Sequence, residues 1–502
     1  MTDPTAGAAT HRPDRIRAGT AAVLLILGLL LPWNVYFGVG ITGTRGGVFA
    51  LLVAVTLLAL AALVVDEVSR RTADAPDRRN LRLVLTLPYL ILVAAFTVFT
   101  IVNSIRHGGT GLVAPGVGPG AWLGLAGAVL AAQPALRADA GTSGGTRAGR
   151  LIGWLSILLA VAAAVANLYF RTRFVLPGIG GAAGSANLVT AVVAVLYSMV
   201  AVAPVLIAGR WIISGTAASR LATLLLGSSA LVAGTLLWIL PVGRDLDGFH
   251  GIAQNTGTVG VGYEGYLAWV AVAAMAGTAT VRAALAANSA ALWRTATRQC
   301  LALIAVWCGG MTALRIVGIA LTSVLDLPAP PYNSTTLMAF DLITALVAGW
   351  LLVNGVNRAA SRAVTTVLLG VLFALTGCRL IVGVALVPRS VPLNPGTINA
   401  VFGNELAQQI TSTFDVTLAV LAALVLAGVF AFDLWPRPQP GPRPTESRHR
   451  PPTHPVPPPA VPAPAAVVPT QTAAPKIAAP KIAAPAPARP RIASPPKPDE
   501  KP

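Results

Sequence analysis

Two arginines and two aspartates in the last third of the chain lie inside apolar runs, where a charge is costly. Arg315 lies in MTALRIVGIAL and Arg379 in LTGCRLIVGVAL, whereas Asp341 lies in FDLIT and Asp415 in FDVTL. A charged side chain in the lipid core costs roughly 2.5–3.5 kcal/mol, so each of the four needs a partner or a function. Carboxylates beside arginines can bind anions, exchange protons or form structural ion pairs.

These charges belong to a duplicated pattern. Each copy has an arginine-containing helix, a loop with proline, and a second helix that opens with Phe-Asp. At about 1.5 Å per residue, all four charges lie roughly 8–14 Å from the predicted outer ends of their helices. We therefore predict one layer of ion pairs in the outer leaflet, formed within each hairpin or exchanged between the two. An internal repeat in a transporter often marks the substrate path, although a duplication can also persist for packing alone.

A polar stripe precedes the second aspartate. Asn404, Gln408, Thr411 and Asp415 recur at intervals of four, three and four residues, which places them on one face of a helix. Lipid does not tolerate such a face, so we expect it to face protein or a water-filled vestibule. Two interpretations remain open, namely a substrate or proton site and a set of buried salt bridges that fixes helix packing.

The rest of the sequence offers little for catalysis. The five histidines are scattered and the three cysteines form no CxxC pair, so we predict neither a metal nor a cofactor. No Gly-Lys-Ser/Thr phosphate-binding motif occurs. The first predicted outer loop, GVGITGTRGG, lacks the acidic residues typical of polytopic lipid-linked glycosyltransferases. The sequence leans away from an enzyme without deciding the question.

Composition indicates that these residues sit in a membrane protein. Hydrophobic residues make up 55% of the chain and charged residues 11%, against about 25% charged in soluble domains. Because a helix needs about 20 apolar residues to cross the hydrocarbon, we predict an all-α polytopic membrane protein with about twelve transmembrane helices arranged as hairpins. The predicted spans are 18–37, 48–65, 81–102, 117–133, 151–170, 187–208, 221–240, 263–279, 300–324, 336–354, 363–387 and 406–432.

Arginines in the loops predict the orientation. If the N-terminus is cytoplasmic, the N-terminal segment and the cytoplasmic loops carry 18 arginines and the outer loops 6, which is the bias that cytoplasmic loops show. We therefore predict a multi-pass protein of the cell (inner) membrane with both termini in the cytoplasm. Residues 1–17 form the cytoplasmic N-terminal segment, and residues 18–432 the transmembrane domain, with an uncleaved first span. The net charge of +18 lies in short loops and the C-terminal tail, so we expect lipid rather than nucleic acid as the partner.

The C-terminal segment, residues 433–502, differs from the rest in composition. It is rich in Pro and Ala and contains two KIAAP repeats, a composition that predicts a disordered cytoplasmic tail with polyproline II character. Its basic residues favour anionic lipid, and its proline-rich stretches can dock in aromatic grooves of proteins. A solvated spacer is the alternative. The sequence predicts no oligomeric state.

Twelve spans, LPW near the first outer turn and a Pro/Ala/Lys tail together resemble uncharacterised conserved membrane proteins of actinobacteria. That resemblance implies no known activity. The cytoplasmic segment VDEVSRRTADAPDRRN lacks the Gly-x-x-x-Asp-Arg-x-Gly-Arg pattern of major-facilitator transporters, so no residue role is carried over. The leading hypothesis is a transporter-like or small-molecule-binding membrane protein that uses the Arg/Asp layer. The alternative is a non-enzymatic envelope scaffold whose tail recruits cytoplasmic partners.

Overall fold

A computed structural model of the 502-residue chain describes residues 4–34, 37–41, 43–71, 78–107, 117–133, 143–173, 175–239, 270–274, 290–326, 334–355, 361–386 and 413–431. Eleven α-helices account for most of these residues, and no β-strand occurs among them, which confirms the all-α class. The helices are α1 Pro4–Leu30, α2 Gly46–Arg71, α3 Arg78–His107, α4 Pro119–Ala132, α5 Ser143–Thr172, α6 Gly184–Ser214, α7 Ala217–Ile239, α8 Ala290–Val324, α9 Ser334–Trp350, α10 Arg362–Leu386 and α11 Thr413–Ala431. A single π-helical turn, Leu351–Gly355, extends α9.

Eight of these helices are long and apolar enough to cross a membrane, namely α2, α3 and α6 to α11. Their outward faces carry exposed apolar side chains, such as Val64, Val367 and Ile381, which suits a lipid environment. The other four predicted spans are not seen as helices of this kind. The first, fourth and fifth correspond to α1, the 14-residue α4 and α5, whereas the eighth is described only at residues 270–274.

Helix α4 lies at the centre of the first helix group, which comprises α1 to α4, and most of its residues are buried. Glycines allow the neighbours to approach closely. A methyl group added to Gly28 of α1 would lie 2.6 Å from the Gly124 Cα, and one added to Gly124 would lie 1.8 Å from the Tyr89 hydroxyl of α3. Small residues at helix contacts allow such approach in membranes. Gly120 and Gly124 therefore allow the close packing of α4 against its neighbours.

One end of α4 is bonded to a residue within α1 and the other end to residues just after it. The Arg17 Nη1 donates to the Gln133 carbonyl oxygen at 2.5 Å, so a cation lies at the C-terminal end of the helix dipole. At the other end, the Gly118 and Gly120 backbone amides donate to the Trp33 and Pro32 carbonyls. Because Arg17 precedes the apolar part of α1 and Trp33 follows it, α1 and α4 run antiparallel.

Helices α5 to α11 form the second group, whose core is apolar. Helix α8 packs against α6, α7, α9 and α11, and the helices α9, α10 and α11 pack in sequence order. A Cβ added to Gly428 of α11 would lie 2.8 Å from the Trp293 ring of α8. Since Trp307 of α8 contacts Phe414 of α11, these two helices are antiparallel. The four helices α8 to α11 therefore surround a common interior.

The charged residues follow the same periodicity as the core residues. Each helix turns about 100° per residue, so positions spaced by three and four residues share a face. The buried residues of α9 and its π turn are Leu337, Asp341, Thr344, Ala348, Leu351 and Gly355. The buried residues of α10 are Thr365, Leu369, Leu372, Thr376, Arg379 and Gly383. Asp341 and Arg379 thus occupy core positions of their helices, which directs both side chains into the interior.

Candidate functional site

The four charged residues meet between α8, α9, α10 and α11, and we call this group the Arg/Asp layer. The Arg315 Nε lies 3.3 Å from the Asp341 Oδ2, and the Arg379 Nε lies 2.5 Å from the Asp341 Oδ1. The Arg379 Nη1 lies 2.7 Å from the Asp415 Oδ2. Ion pairs thus form within each hairpin and also between the two hairpins. All four residues are buried, with exposed fractions of 7% for Arg315, 0% for Asp341, 3% for Arg379 and 5% for Asp415.

Trp307 joins the layer from α8, and sequence reasoning missed it. Its Nε1–H donates to the Asp415 Oδ1 at 2.9 Å, and its ring meets Phe414 edge-on with centroids 4.7 Å apart. Trp307 lies about two helical turns before Arg315, on the buried face of the same helix. A tryptophan inside an apolar helix needs an acceptor for its N–H, which is the signal that could have identified it.

The contacts form a closed path. They run from Arg315 on α8 to Asp341 on α9, then to Arg379 on α10 and Asp415 on α11, and return to α8 through Trp307. Every step joins neighbouring helices. The layer consequently ties all four helices together at one level, near the end where α8 and α10 finish and where α9 and α11 begin.

Arg379 is the least satisfied member of the layer. Its Nε donates to Asp341, but its Nη1, although close to Asp415, is not directed as a hydrogen bond. Its Nη2 has no hydrogen-bond acceptor among the described residues. A buried donor without an acceptor costs about 1–3 kcal/mol, more for a charged group. Counting the described residues, the edge of this guanidinium formed by Nη1 and Nη2 therefore makes no hydrogen bond, although Nη1 is ion-paired with Asp415.

The layer contains two positive and two negative side chains. Arginine stays protonated in proteins, so this balance depends on the ionisation of Asp341 and Asp415. Asp415 lies in the first turn of α11, where the helix dipole favours a carboxylate. Chemically, such a group can bind an anion, take up a proton or hold the helices in place.

Cys308 lies beside the layer, next to Trp307 in sequence. Its thiol is buried and within electrostatic range of Asp341, Arg379 and Asp415. Cys300 is also buried, about two turns earlier on α8, whereas Cys378 is exposed on the outer face of α10. The thiol of Cys308 can therefore report on access of reagents to the layer.

Some predicted features fall on residues that the structure does not describe. Asn404, Gln408 and Thr411 of the predicted polar stripe lie outside the described residues, as does the tail at 433–502. Only the last member of the stripe, Asp415, is described, at the start of α11.

The helices and the charged layer between them indicate the class of protein. Eight helices of spanning length and composition indicate a polytopic α-helical membrane protein. Residues 14–431 match the family described as a domain of unknown function, DUF7937, and because this segment is most of the chain, the protein belongs to that family. Its membership of an uncharacterised family confirms the expectation from the sequence. No curated protein and no solved structure matches the chain.

Proposed function

We propose that this is a transporter-like membrane protein that binds a small solute at the Arg/Asp layer. One observation carries the proposal: four buried charges from four helices converge, and Arg379 still has a nitrogen without an acceptor among the described residues. A buried ion pair can often be replaced by apolar residues with no loss of stability, or a gain of about 1–4 kcal/mol. Packing alone thus gives little reason for charges in this interior, whereas solute binding does.

We also propose twelve spans, and helix directions support this count. The Gln299 Nε2 donates to the Ser219 Oγ at 3.1 Å, so α7 and α8 begin at the same end of the bundle. The chain leaves that end along α7 and therefore has to return between residues 240 and 289, which contain the predicted span 263–279. The antiparallel pairs α1 with α4 and α8 with α11 likewise agree with the predicted alternation. Because α4 is enclosed by other helices, its length need not match the lipid thickness.

The same alternation supports the proposed orientation. With the N-terminus in the cytoplasm, as the arginine bias favours, α8 begins at the cytoplasmic side and the Arg/Asp layer lies toward the outside of the inner membrane. Residues 1–17 then form a cytoplasmic segment, residues 18–432 the transmembrane domain, and residues 433–502 a disordered cytoplasmic tail. A solute would reach the layer from the outer surface.

Thiol accessibility tests the proposal without a known solute. The variant C300A/C378A retains Cys308 alone, and the matched variant C308A/C378A retains Cys300 alone. A charged, membrane-impermeant methanethiosulfonate reagent is applied to the outside of intact cells. We expect Cys308 to react several-fold faster than Cys300, because a binding layer has to open to water.

One result would contradict the proposal. Equal protection of Cys308 and Cys300 would mean that the layer stays closed to water, and the binding proposal would fail. Labelling after denaturation provides the control that both thiols remain reactive.

A scaffold is the second candidate function, and the composition of the tail favours it. Proline-rich segments bind grooves lined with aromatic residues because their extended conformation is already formed. If the protein is a scaffold, deletion of residues 433–502 should reproduce the phenotype of complete gene deletion. A truncated protein that restores the normal phenotype would reject this role.

A further inference from the structure

We infer that the solute of the Arg/Asp layer is a zwitterionic α-amino acid, whose carboxylate accepts from Arg379 and whose ammonium group donates to three threonines beside the layer. We call Thr312, Thr344 and Thr376 the threonine set. This inference rests on the proposed function and names its solute class. It is carried by the position of the threonine set and by the hydrogen bonds that its hydroxyl groups make.

The threonine set lies about one helical turn from the Arg/Asp layer, on the side away from the end where α8 and α10 finish. Each member is buried and lies three residues from the charged residue of its own helix. The pairs are Thr312 with Arg315 on α8, Thr344 with Asp341 on α9, and Thr376 with Arg379 on α10. Residues three apart share a helix face, and three residues rise about 4.5 Å. The three hydroxyl groups therefore lie at one level, next to the charges.

The hairpin repeat keeps this spacing in both of its copies. The first copy reads TALR from Thr312, and the second reads TGCR from Thr376. The threonine and the arginine are the same in both copies, whereas the two residues between them differ. A hydroxyl group one turn from each arginine thus belongs to the repeated unit.

The hydroxyl oxygens of the threonine set can accept hydrogen bonds from a solute. Each hydroxyl donates its hydrogen to a backbone carbonyl three or four residues earlier in its own helix, at 2.7–2.8 Å. A hydroxyl oxygen also has two acceptor lone pairs, and none of the three accepts a hydrogen bond from the described residues. The set therefore presents acceptors, and an ammonium group supplies three donors.

Arg379 presents donors to the same interior. Its Nε donates to Asp341, and its Nη1 is ion-paired with Asp415. Its Nη2 makes no hydrogen bond with the residues that the structure describes. Charge-assisted bonds from a guanidinium to a carboxylate are among the strongest hydrogen bonds in proteins. A solute carboxylate would therefore give Nη2 an acceptor.

An α-amino acid carries both complementary groups on one carbon atom. A lone anion would lie beside the two aspartates of the layer and a lone cation beside its two arginines, and like charges at short distance repel. An amino acid directs its carboxylate to a guanidinium and its ammonium group to oxygen atoms. Because the zwitterion has no net charge, it leaves the charge of the layer unchanged whatever other contacts the members of the layer make.

Thermal unfolding of the full-length protein in nanodiscs, with each common L-amino acid added in turn, tests the inference. A ligand of the native state raises the unfolding temperature, so we expect at least one amino acid to do so. The 2-hydroxy acid with the same side chain lacks the ammonium group, and the corresponding primary amine lacks the carboxylate. For alanine these analogues are lactate and ethylamine. Neither analogue should raise the unfolding temperature.

Variants with a matched control test the residues. Thr312→Val, Thr344→Val and Thr376→Val each remove one acceptor and keep the shape of the side chain. A hydrogen bond to a charged group contributes about 1.5–3 kcal/mol, so the dissociation constant of the amino acid should rise about tenfold or more. Thr365→Val is the control and should not change it, because Thr365 is a buried threonine with the same kind of internal bond at the other end of α10.

Arg379→Gln should abolish binding of the amino acid. If this variant fails to fold, the three valine variants and the two analogues still decide the inference, because they leave the ion pairs intact.

The outcomes distinguish the inference from the proposed function. Failure of every amino acid to raise the unfolding temperature, with Cys308 still accessible to water, would overturn the solute class but not the proposed function. Equal stabilisation by the hydroxy acid or the amine would also overturn the class. Unchanged dissociation constants in all three valine variants would remove the threonine set from the site. A Cys308 thiol as protected as Cys300 would instead remove the proposed function itself.

Discussion

The Arg379 guanidinium donates its Nε–H to the carboxylate of Asp341, although the two residues belong to different copies of the hairpin repeat. Asp341 also accepts from Arg315 of its own hairpin. The two copies are therefore joined through one carboxylate that serves two arginines. Asp341 contacts both arginines of the layer, whereas Asp415 contacts only Arg379 of the two. Removal of the two carboxylates should therefore change the free energy of unfolding by different amounts.

Asp341→Asn should destabilise the protein more than Asp415→Asn. Loss of the Asp341 charge removes the carboxylate that accepts from both arginines, and breaking a buried pair costs about 3–5 kcal/mol. Loss of the Asp415 charge leaves Arg379 paired with Asp341, and the amide oxygen of the new side chain can still accept from Trp307. Unfolding in nanodiscs, with Asp326→Asn as the exposed control, measures the difference. Equal destabilisation by the two substitutions would contradict the shared role of Asp341.

Replacement of the whole layer should show whether its charges stabilise the fold. We expect the variant R315M/D341L/R379M/D415L to be as stable as the parent or up to about 1–4 kcal/mol more stable, because desolvation of the charges is avoided. Thermal unfolding in nanodiscs checks this prediction. A variant that is inserted but cannot fold would show that the charges hold the helices in place.

Trp307→Phe should show how much the indole N–H contributes to the free energy of unfolding. The substitution keeps an aromatic ring against Phe414 but removes the donor to Asp415. A hydrogen bond to a charged group contributes about 1.5–3 kcal/mol, so we expect a loss of that size in the free energy of unfolding. Trp154→Phe, on an exposed face of α5, is the control and should have little effect. A loss no larger than the control's would mean that the contact contributes nothing.

Gly124→Ala should destabilise the first helix group. The added methyl group would lie 1.8 Å from the Tyr89 hydroxyl, and overpacking of this kind costs about 1–3 kcal/mol. Tyr89→Phe removes the nearest atom and should restore part of the loss in the double variant. Gly370→Ala on α10, which meets nothing within 4 Å, should be neutral or slightly stabilising, since alanine favours helix. Equal effects at positions 124 and 370 would refute the close contact of α1, α3 and α4.

Periodicity and depth explain how much the sequence could predict. Helical spacing places Asp341 and Arg379 on the buried faces of α9 and α10, and equal depth from the helix ends places all four charges at one level. The choice of partners depends on which helices are neighbours, which spacing along one helix does not determine. For this reason the sharing of Asp341 and the contribution of Trp307 were visible only in the structure.

The number of predicted spans also differs from the number of spanning helices found among the described residues. Apolar length predicts spans well where a helix faces lipid, as in α2, α3 and α6. Helix α4, with 14 residues, is enclosed by protein. A helix that is enclosed by other helices need not be as long as one that crosses the lipid. Hydropathy alone therefore cannot predict where such a helix begins and ends.

The pairing of charges has an electrical consequence. Arg315 with Asp341, and Arg379 with Asp415, give each hairpin one positive and one negative charge at the same depth. If the hairpin of α8 and α9 rocks against that of α10 and α11, the bonds that separate are those from Arg379 to Asp341 and from Trp307 to Asp415. Counting the described residues, each moving body is then neutral at this level, so the motion moves no net charge of the layer through the membrane field. Rocking of the hairpins would therefore be insensitive to the membrane potential.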